Sequence, residues 1–219
     1  MGKFSIFLSL LAFSMVGALI AKQVLQRGDR GSIVHYPAFS SNFVEPRPIE
    51  VWLPEGYNPS STERYPVIYM HDGQFLFTKS KSWFVWTPWL WKVDVAISDL
   101  IRAKKIRPAI VVAPWNLPGA KRRNEYMPQK PVMEKHDSLL IAEDSDIRRE
   151  NTNSDNYLRF LVEELKPFID ANYRTLPERA STFTMGSSMG GMISAYAISE
   201  YPDIFGAAAC LSTHWNIAD

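Results

Sequence analysis

Seven residues do most to limit the folds open to this chain: Met185-Gly186-Ser187-Ser188-Met189-Gly190-Gly191. They contain the pattern G-x-S-x-G as Gly186, Ser188 and Gly190. An apolar strand-like run, Ser181 to Met185, precedes them, and Met189 to Tyr201 reads as a helix. A serine so placed sits on a tight, strained turn at the C-terminal end of a strand. Glycines two residues to either side let strand and helix approach without Cβ clashes. The helix start then aims its amides at negative charge developing beside the serine. A serine that merely caps a helix after a glycine turn has the same local pattern. The strand before, the helix after and the extra glycine at 191 favour a nucleophile. Ser187 has the wrong spacing from the glycines and takes a supporting role at most.

Around this turn, strand-like and helix-like segments alternate. Ser32 to Phe39 and Pro48 to Leu53 read as strands, followed by the turn-rich stretch Pro54 to Pro59. Pro66 to Met70 is a short apolar strand, and Ala109 to Ala113 a buried one stopped by Pro114. Val93 to Ala103 has helical spacing, with Val93, Ile97, Leu100 and Ile101 on one face. Residues 116–152 are polar and irregular. Asn153 to Tyr173 is the clearest helix, with Leu158, Leu161, Leu165, Phe168 and Ile169 on one face. Pro167 predicts a kink in it. Gly206 to Ser212, which contains Cys210, is the last strand. Such alternation predicts an α/β fold: a mostly parallel central sheet with helices on both faces.

Composition excludes several function classes. Twenty-four Lys and Arg against 23 Asp and Glu leave a net charge of +1. A general nucleic-acid binder would need a basic surplus for the phosphates. One cysteine allows no internal disulfide and no cysteine-cluster metal site. The charge-free run Phe4 to Ala21, after Lys3, reads as a secretory signal peptide with a small-residue cleavage site at Val16-Gly17-Ala18. An uncleaved membrane anchor is the alternative, because a run of about 18 apolar residues just spans a bilayer. Residues 1–21 are therefore set apart as a signal peptide or N-terminal anchor, and 22–219 as one domain. The protein is expected to be exported, periplasmic or extracellular, or held at a membrane by residues 4–21.

A serine nucleophile needs two donors for the oxyanion. One is the amide of the following residue, Met189, and the other comes from the loop after an earlier strand. His71-Asp72-Gly73-Gln74, directly after Met70, has that position. Gly73 permits the turn, Gln74 presents its amide, and Asp72 braces the loop by accepting backbone amides. An Asp-Gly surface turn is the plainer alternative.

These residues resemble the putative-esterase family of α/β-hydrolases, which includes siderophore, feruloyl and acetyl-xylan esterases, S-formylglutathione hydrolases and mycolyltransferases. The similarity runs from about Val34 to Trp215. Its landmarks are Val51 to Tyr57, Tyr65 to Gln74, Arg122 with Glu125-Tyr126 and Pro128, Glu164 to Asp170, Gly186 to Gly191, and Tyr201 to Gly206. The resemblance implies an α/β-hydrolase fold, Ser188 as nucleophile, the amides of Gln74 and Met189 as oxyanion hole, and a small-molecule ester as substrate. It implies no metal and no organic cofactor. Arg122, Glu125 and Tyr126 follow the strand Ala109 to Ala113, on the active-site side of such a sheet. There they shape the substrate mouth, or Arg122 pairs with Glu125 to order the loop. His71 and Asp72 are further pocket candidates. Trp83, Phe84, Trp86, Trp89 and Trp91 follow the oxyanion loop and pack as core or lid, or line an apolar or sugar-binding mouth.

In this fold the triad runs Ser, then acid, then His along the chain. Asp203 lies in a turn at the opposite end of the sheet from Ser188. His214 follows the last strand on the active-site side and is a pocket candidate. His35 falls in the first strand and His136 in the polar insert, neither in a catalytic position. The family pattern therefore departs here: two further strands, the acid and the histidine are expected beyond Asp219, and the chain reads as truncated at its C-terminus. The function expected is a serine carboxylic-ester hydrolase working through an acyl-enzyme. Alternatives are a non-catalytic binding protein of the same fold and an acyltransferase.

Overall fold

The computed structural model describes residues 23–28, 30–78, 89–130, 151–213 and 215. Their strands form one seven-stranded sheet in the order β1-β2-β3-β5-β4-β6-β7. The strands are β1 (Gln23–Gly28), β2 (Gly31–Phe39), β3 (Arg47–Leu53), β4 (Val67–Met70), β5 (Ile110–Pro114), β6 (Thr182–Ser187) and β7 (Ala207–Leu211). β1, β2, β3 and β5 pair antiparallel in succession. From β5 onward, through β4 and β6 to β7, every pairing is parallel. This is the mixed, mostly parallel sheet of an α/β-hydrolase fold. β1 escaped the sequence reading because its residues, Gln-Val-Leu-Gln-Arg-Gly, form no clean apolar run.

Period-two alternation divides the core between the two faces of the sheet. Val51, Tyr69 and Val112 face one way, and Trp52, Met70 and Val111 the other. The first face is covered by Leu158, Leu161, Leu165 and Ile169, together with Ile193 and Ala197. The second is covered by Leu76, Phe77 and Ile97. Ile97 belongs to helix α1 (Val93–Arg102), and the covering of both faces by helices follows the expectation.

The polar stretch after β5 contains a helix the sequence reading lacked, α2 (Ala120–Tyr126). Its buried residues are Glu125 and Tyr126, so it shows no apolar stripe. Beyond it, α3 (Ser154–Arg159) passes through a π-helical turn, Phe160–Leu165, into α4 (Lys166–Asn172). Pro167 lacks an N–H and its ring crowds the carbonyl four residues back. The wider turn just before it accommodates both effects. The last helix, α5 (Met189–Glu200), follows β6 directly. Among the described residues no helix is long and apolar enough to cross a membrane. The export segment and its cleavage site lie outside the described residues.

Candidate active site

Ser188 stands alone between β6 and α5, with φ of 56° and ψ of −123°. Such a backbone is rare for a residue with a Cβ and costs about 1–3 kcal/mol. Hydrogen bonds on both sides impose it. The Ser188 N–H donates to the Leu211 carbonyl (2.9 Å), and the Ser188 carbonyl accepts from Gly191 (3.0 Å) and Met192 (3.3 Å). Contact dictates glycine at 186 and crowds position 191. A Cβ on Gly186 would stand 2.4 Å from the Gly190 backbone, and one on Gly191 would stand 2.4 Å from Thr213 Oγ1. Ser188 and Met189 open onto a cavity of about 470 Å3, whose other described walls are Gly119, Arg122 and Arg123.

The loop after β4 meets this turn from the neighbouring strand. The His71 N–H donates to the Met185 carbonyl at the end of β6 (2.9 Å). Asp72 then adopts a left-handed conformation, φ 63°, and a single 3-10 turn, Gly73–Phe75, follows. Gly73 is pressed onto the end of β5, where a Cβ would meet the Ala113 carbonyl at 2.3 Å. The buried Gln74 accepts the Asn116 N–H on Oε1 (3.2 Å). The Asp72 carboxylate accepts a bidentate pair from Arg122, Nε at 2.7 Å and Nη2 at 2.8 Å, and a further bond from Asn116 Nδ2. Its own N–H donates to Tyr126 Oη (3.2 Å).

With a strained serine on a strand-to-helix turn and a glycine-braced loop beside it, comparison with known proteins becomes informative. Over residues 40–218 the chain matches the family described as Putative esterase. It belongs to that family. It is 27 % identical over 187 residues to an endo-1,4-beta-xylanase/feruloyl esterase of Xylanibacter ruminicola, covering 84 % of this chain and 22 % of that one. It is 24 % identical over 176 residues to the uncharacterized protein YjcH of Bacillus subtilis, covering 80 % and 59 %. Among solved structures it resembles an IroE-like serine hydrolase from Shewanella oneidensis, with TM-score 0.60, 24 % identity and coverage of 82 % and 50 %. A ferulic acid esterase from Anaeromyces mucronatus follows, with TM-score 0.54, 20 % identity and coverage of 80 % and 57 %. These structural likenesses establish the fold. The chain spans less than two-thirds of the length of each of these four proteins. Family and fold together make it a serine-hydrolase-type α/β-hydrolase.

Within this esterase fold the expected site residues separate into two groups. Ser188, Met189 and Arg122 line the cavity. His71, Asp72, Gln74, Glu125 and Tyr126 are buried and are not among its described walls. His71 is held by Tyr157 Oη at Nδ1 (2.9 Å) and by Thr184 Oγ1 at Nε2 (3.2 Å). Burial lowers its pKa to about 4, with Asp72 pulling it up and Arg122 pushing it down, so the ring is neutral at neutral pH. The expected Arg122–Glu125 pair is replaced by two others. Arg122 turns to Asp72, and Glu125 takes Arg47 of β3 in a bidentate pair (2.6 and 2.8 Å). Asp72 is likewise braced by side chains where backbone amides were expected. A deep-buried arginine and carboxylate satisfy each other's bonds, which an exposed pair three residues apart would not need. His214, Trp83, Phe84 and Trp86 lie outside the described residues. Trp89 is 74 % exposed, so it packs in no core, and Trp91 stacks on Phe75 with ring centroids 6.4 Å apart. Sequence reasoning missed Asn116, Arg47, Tyr157 and Thr184, none of which carries a local motif. Among the described residues there is no cluster of metal-ligating side chains.

Proposed function

We propose that this chain acts as a serine carboxylic-ester hydrolase through an acyl-enzyme on Ser188. The observation that carries the reading is the strained Ser188 backbone at φ 56°, on a strand-to-helix turn opening onto a cavity of about 470 Å3. A cavity of this size accepts a small-molecule ester. Ser188 Oγ adds to the ester carbonyl and its proton passes to an imidazole. The amides of Met189 and Gln74 stabilise the tetrahedral oxyanion. Collapse expels the alcohol and leaves acyl-Ser188, which water then hydrolyses. The described walls of the cavity carry no imidazole, and both nitrogens of His71 are already engaged. The general base is accordingly not one of the described wall residues, and His214 is the first candidate to test. A feruloyl ester is the first substrate to try, since the relatives include a feruloyl esterase and a ferulic acid esterase.

The test is labelling with an uncharged fluorophosphonate serine probe, beside the Ser188→Ala variant. Labelling that disappears with Ser188 is expected, and labelling that survives in Ser188→Ala overturns the assignment. Loss of labelling in His214→Ala would place the base at that residue.

A further inference from the structure

The left-handed turn at Asp72 is fixed from a different element than the one that carries it. Asp72 is the residue where the chain leaves β4 and turns into the 3-10 segment that holds Gln74. Its side chain is 2 % exposed, and its carboxylate is gripped by Arg122 through both Nε and Nη2. Its N–H is bound by Tyr126, four residues further along the same helix, α2. The Arg122 guanidinium lies over the Tyr126 ring, 5.0 Å from its centroid, so the two grips on Asp72 also fix each other. On its far side the Asp72 carboxylate abuts the serine turn: a Cβ on Gly190 would lie 3.2 Å from Oδ2. One helix, α2, thus sets the loop bearing Gln74 against the turn bearing Ser188. Arg122 also lines the cavity between them.

We propose that Arg122 is a positioning residue for the oxyanion loop: by clamping Asp72 it sets the turn that presents the Gln74 amide to the carbonyl oxygen bound beside Ser188. The proposal rests on the reading of Gln74 as an oxyanion donor. An ion pair that served only global stability could stand anywhere in the core. This one closes on the single left-handed residue of the loop, and its loss would leave a buried carboxylate with one neutral side-chain donor. The loop would then relax toward solvent. Lys121, the preceding residue, pairs instead with Glu45 and makes a matched control on the same helix.

The test has two arms on the full chain. The first is hydrogen exchange at the Phe75 and Leu76 amides, whose bonds to Asp72 and Gly73 close the turn. Arg122→Gln should speed their exchange by about tenfold or more, while Val112 in β5 keeps its protection. Arg122→Lys, which keeps the charge and loses the fork, should fall between. Lys121→Gln should leave Phe75 and Leu76 unchanged. The second arm is fluorophosphonate labelling of Ser188. Arg122→Gln should lower the limiting rate by about tenfold while the half-saturating probe concentration changes less than about twofold. Unchanged exchange at Phe75 and Leu76, or an equal rise at Val112, overturns the proposal. Should Arg122→Gln fail to fold, Asn116→Ala removes the neutral donor from the same carboxylate, and a rise confined to Phe75 and Leu76 is still required. A wild-type chain that takes no label lacks a working base or a working Ser188, and the exchange arm alone then decides the clamp.

Discussion

At the scale of single residues, His71 shows how far burial changes a side chain's behaviour. Its ring is fully buried between Tyr126 and Tyr157, with both nitrogens occupied. In the unfolded chain it titrates near its ordinary value of 6.5, and in the folded chain near 4. Between those values the unfolded state binds a proton that the folded state refuses. Stability contributed by the neutral ring is therefore complete above about pH 6.5 and is lost as pH falls toward 4. The slope approaches 1.4 kcal/mol per pH unit, or about 3 kcal/mol in all. Urea unfolding of the wild type and His71→Gln between pH 4 and 7 should show this slope in the wild type and its reduction in the variant. Equal slopes would contradict it. None of this was legible at the residue. The motif His-Asp-Gly-Gln marks a loop, but Tyr157 and Thr184, which trap the ring, stand far along the chain. The same holds for Asp72, whose three side-chain bonds come from Asn116 and Arg122.

At the scale of elements, legibility tracked how a segment is buried. β4 and β5 and the strand–turn–helix around Ser188 were readable because apolar runs and glycines encode them directly. Helix α2 was not, because what it buries is a carboxylate and a tyrosine. Where glycine is dictated by contact, the consequence is sharp. Gly186→Ala must push its methyl group into the Gly190 backbone, which has no flexible side chain to move. Overpacking of this kind costs about 1–3 kcal/mol, and more where backbone must shift. Gly190→Ala meets side chains alone, Asp72 Oδ2 at 3.2 Å and His71 Cβ at 3.5 Å, and should cost less. Thermal unfolding of the two variants side by side should preserve that order.

At the scale of the whole molecule, the pair Arg47–Glu125 joins the antiparallel part of the sheet to the helix that walls the cavity. The guanidinium is fully buried and packs over the rings of Tyr157 and Phe160, at 5.4 and 5.3 Å. Removing one partner strands the other. Arg47→Met should destabilise the protein by about 3–5 kcal/mol. Arg47→Met with Glu125→Leu should recover much of that loss in denaturant unfolding. The global architecture was legible from the alternation of strands and helices, but strand order was not. Nothing in the chain itself says that β4 will lie between β5 and β6.

That order has a consequence for how the molecule is made. β4, the strand that carries the oxyanion loop, pairs Val67 with Thr182 and Met70 with Met185. On a ribosome, the antiparallel ribbon β1–β3 emerges early and can zip locally. β4 then waits with one side bare until β6 has been synthesised. Pairings so distant in sequence are slow to close, and an apolar strand with an open edge invites association meanwhile. The two halves of the site can be joined only after β6 has emerged. A substitution that slows the docking of β6 would lower the yield of native protein before it touched the chemistry of the finished fold.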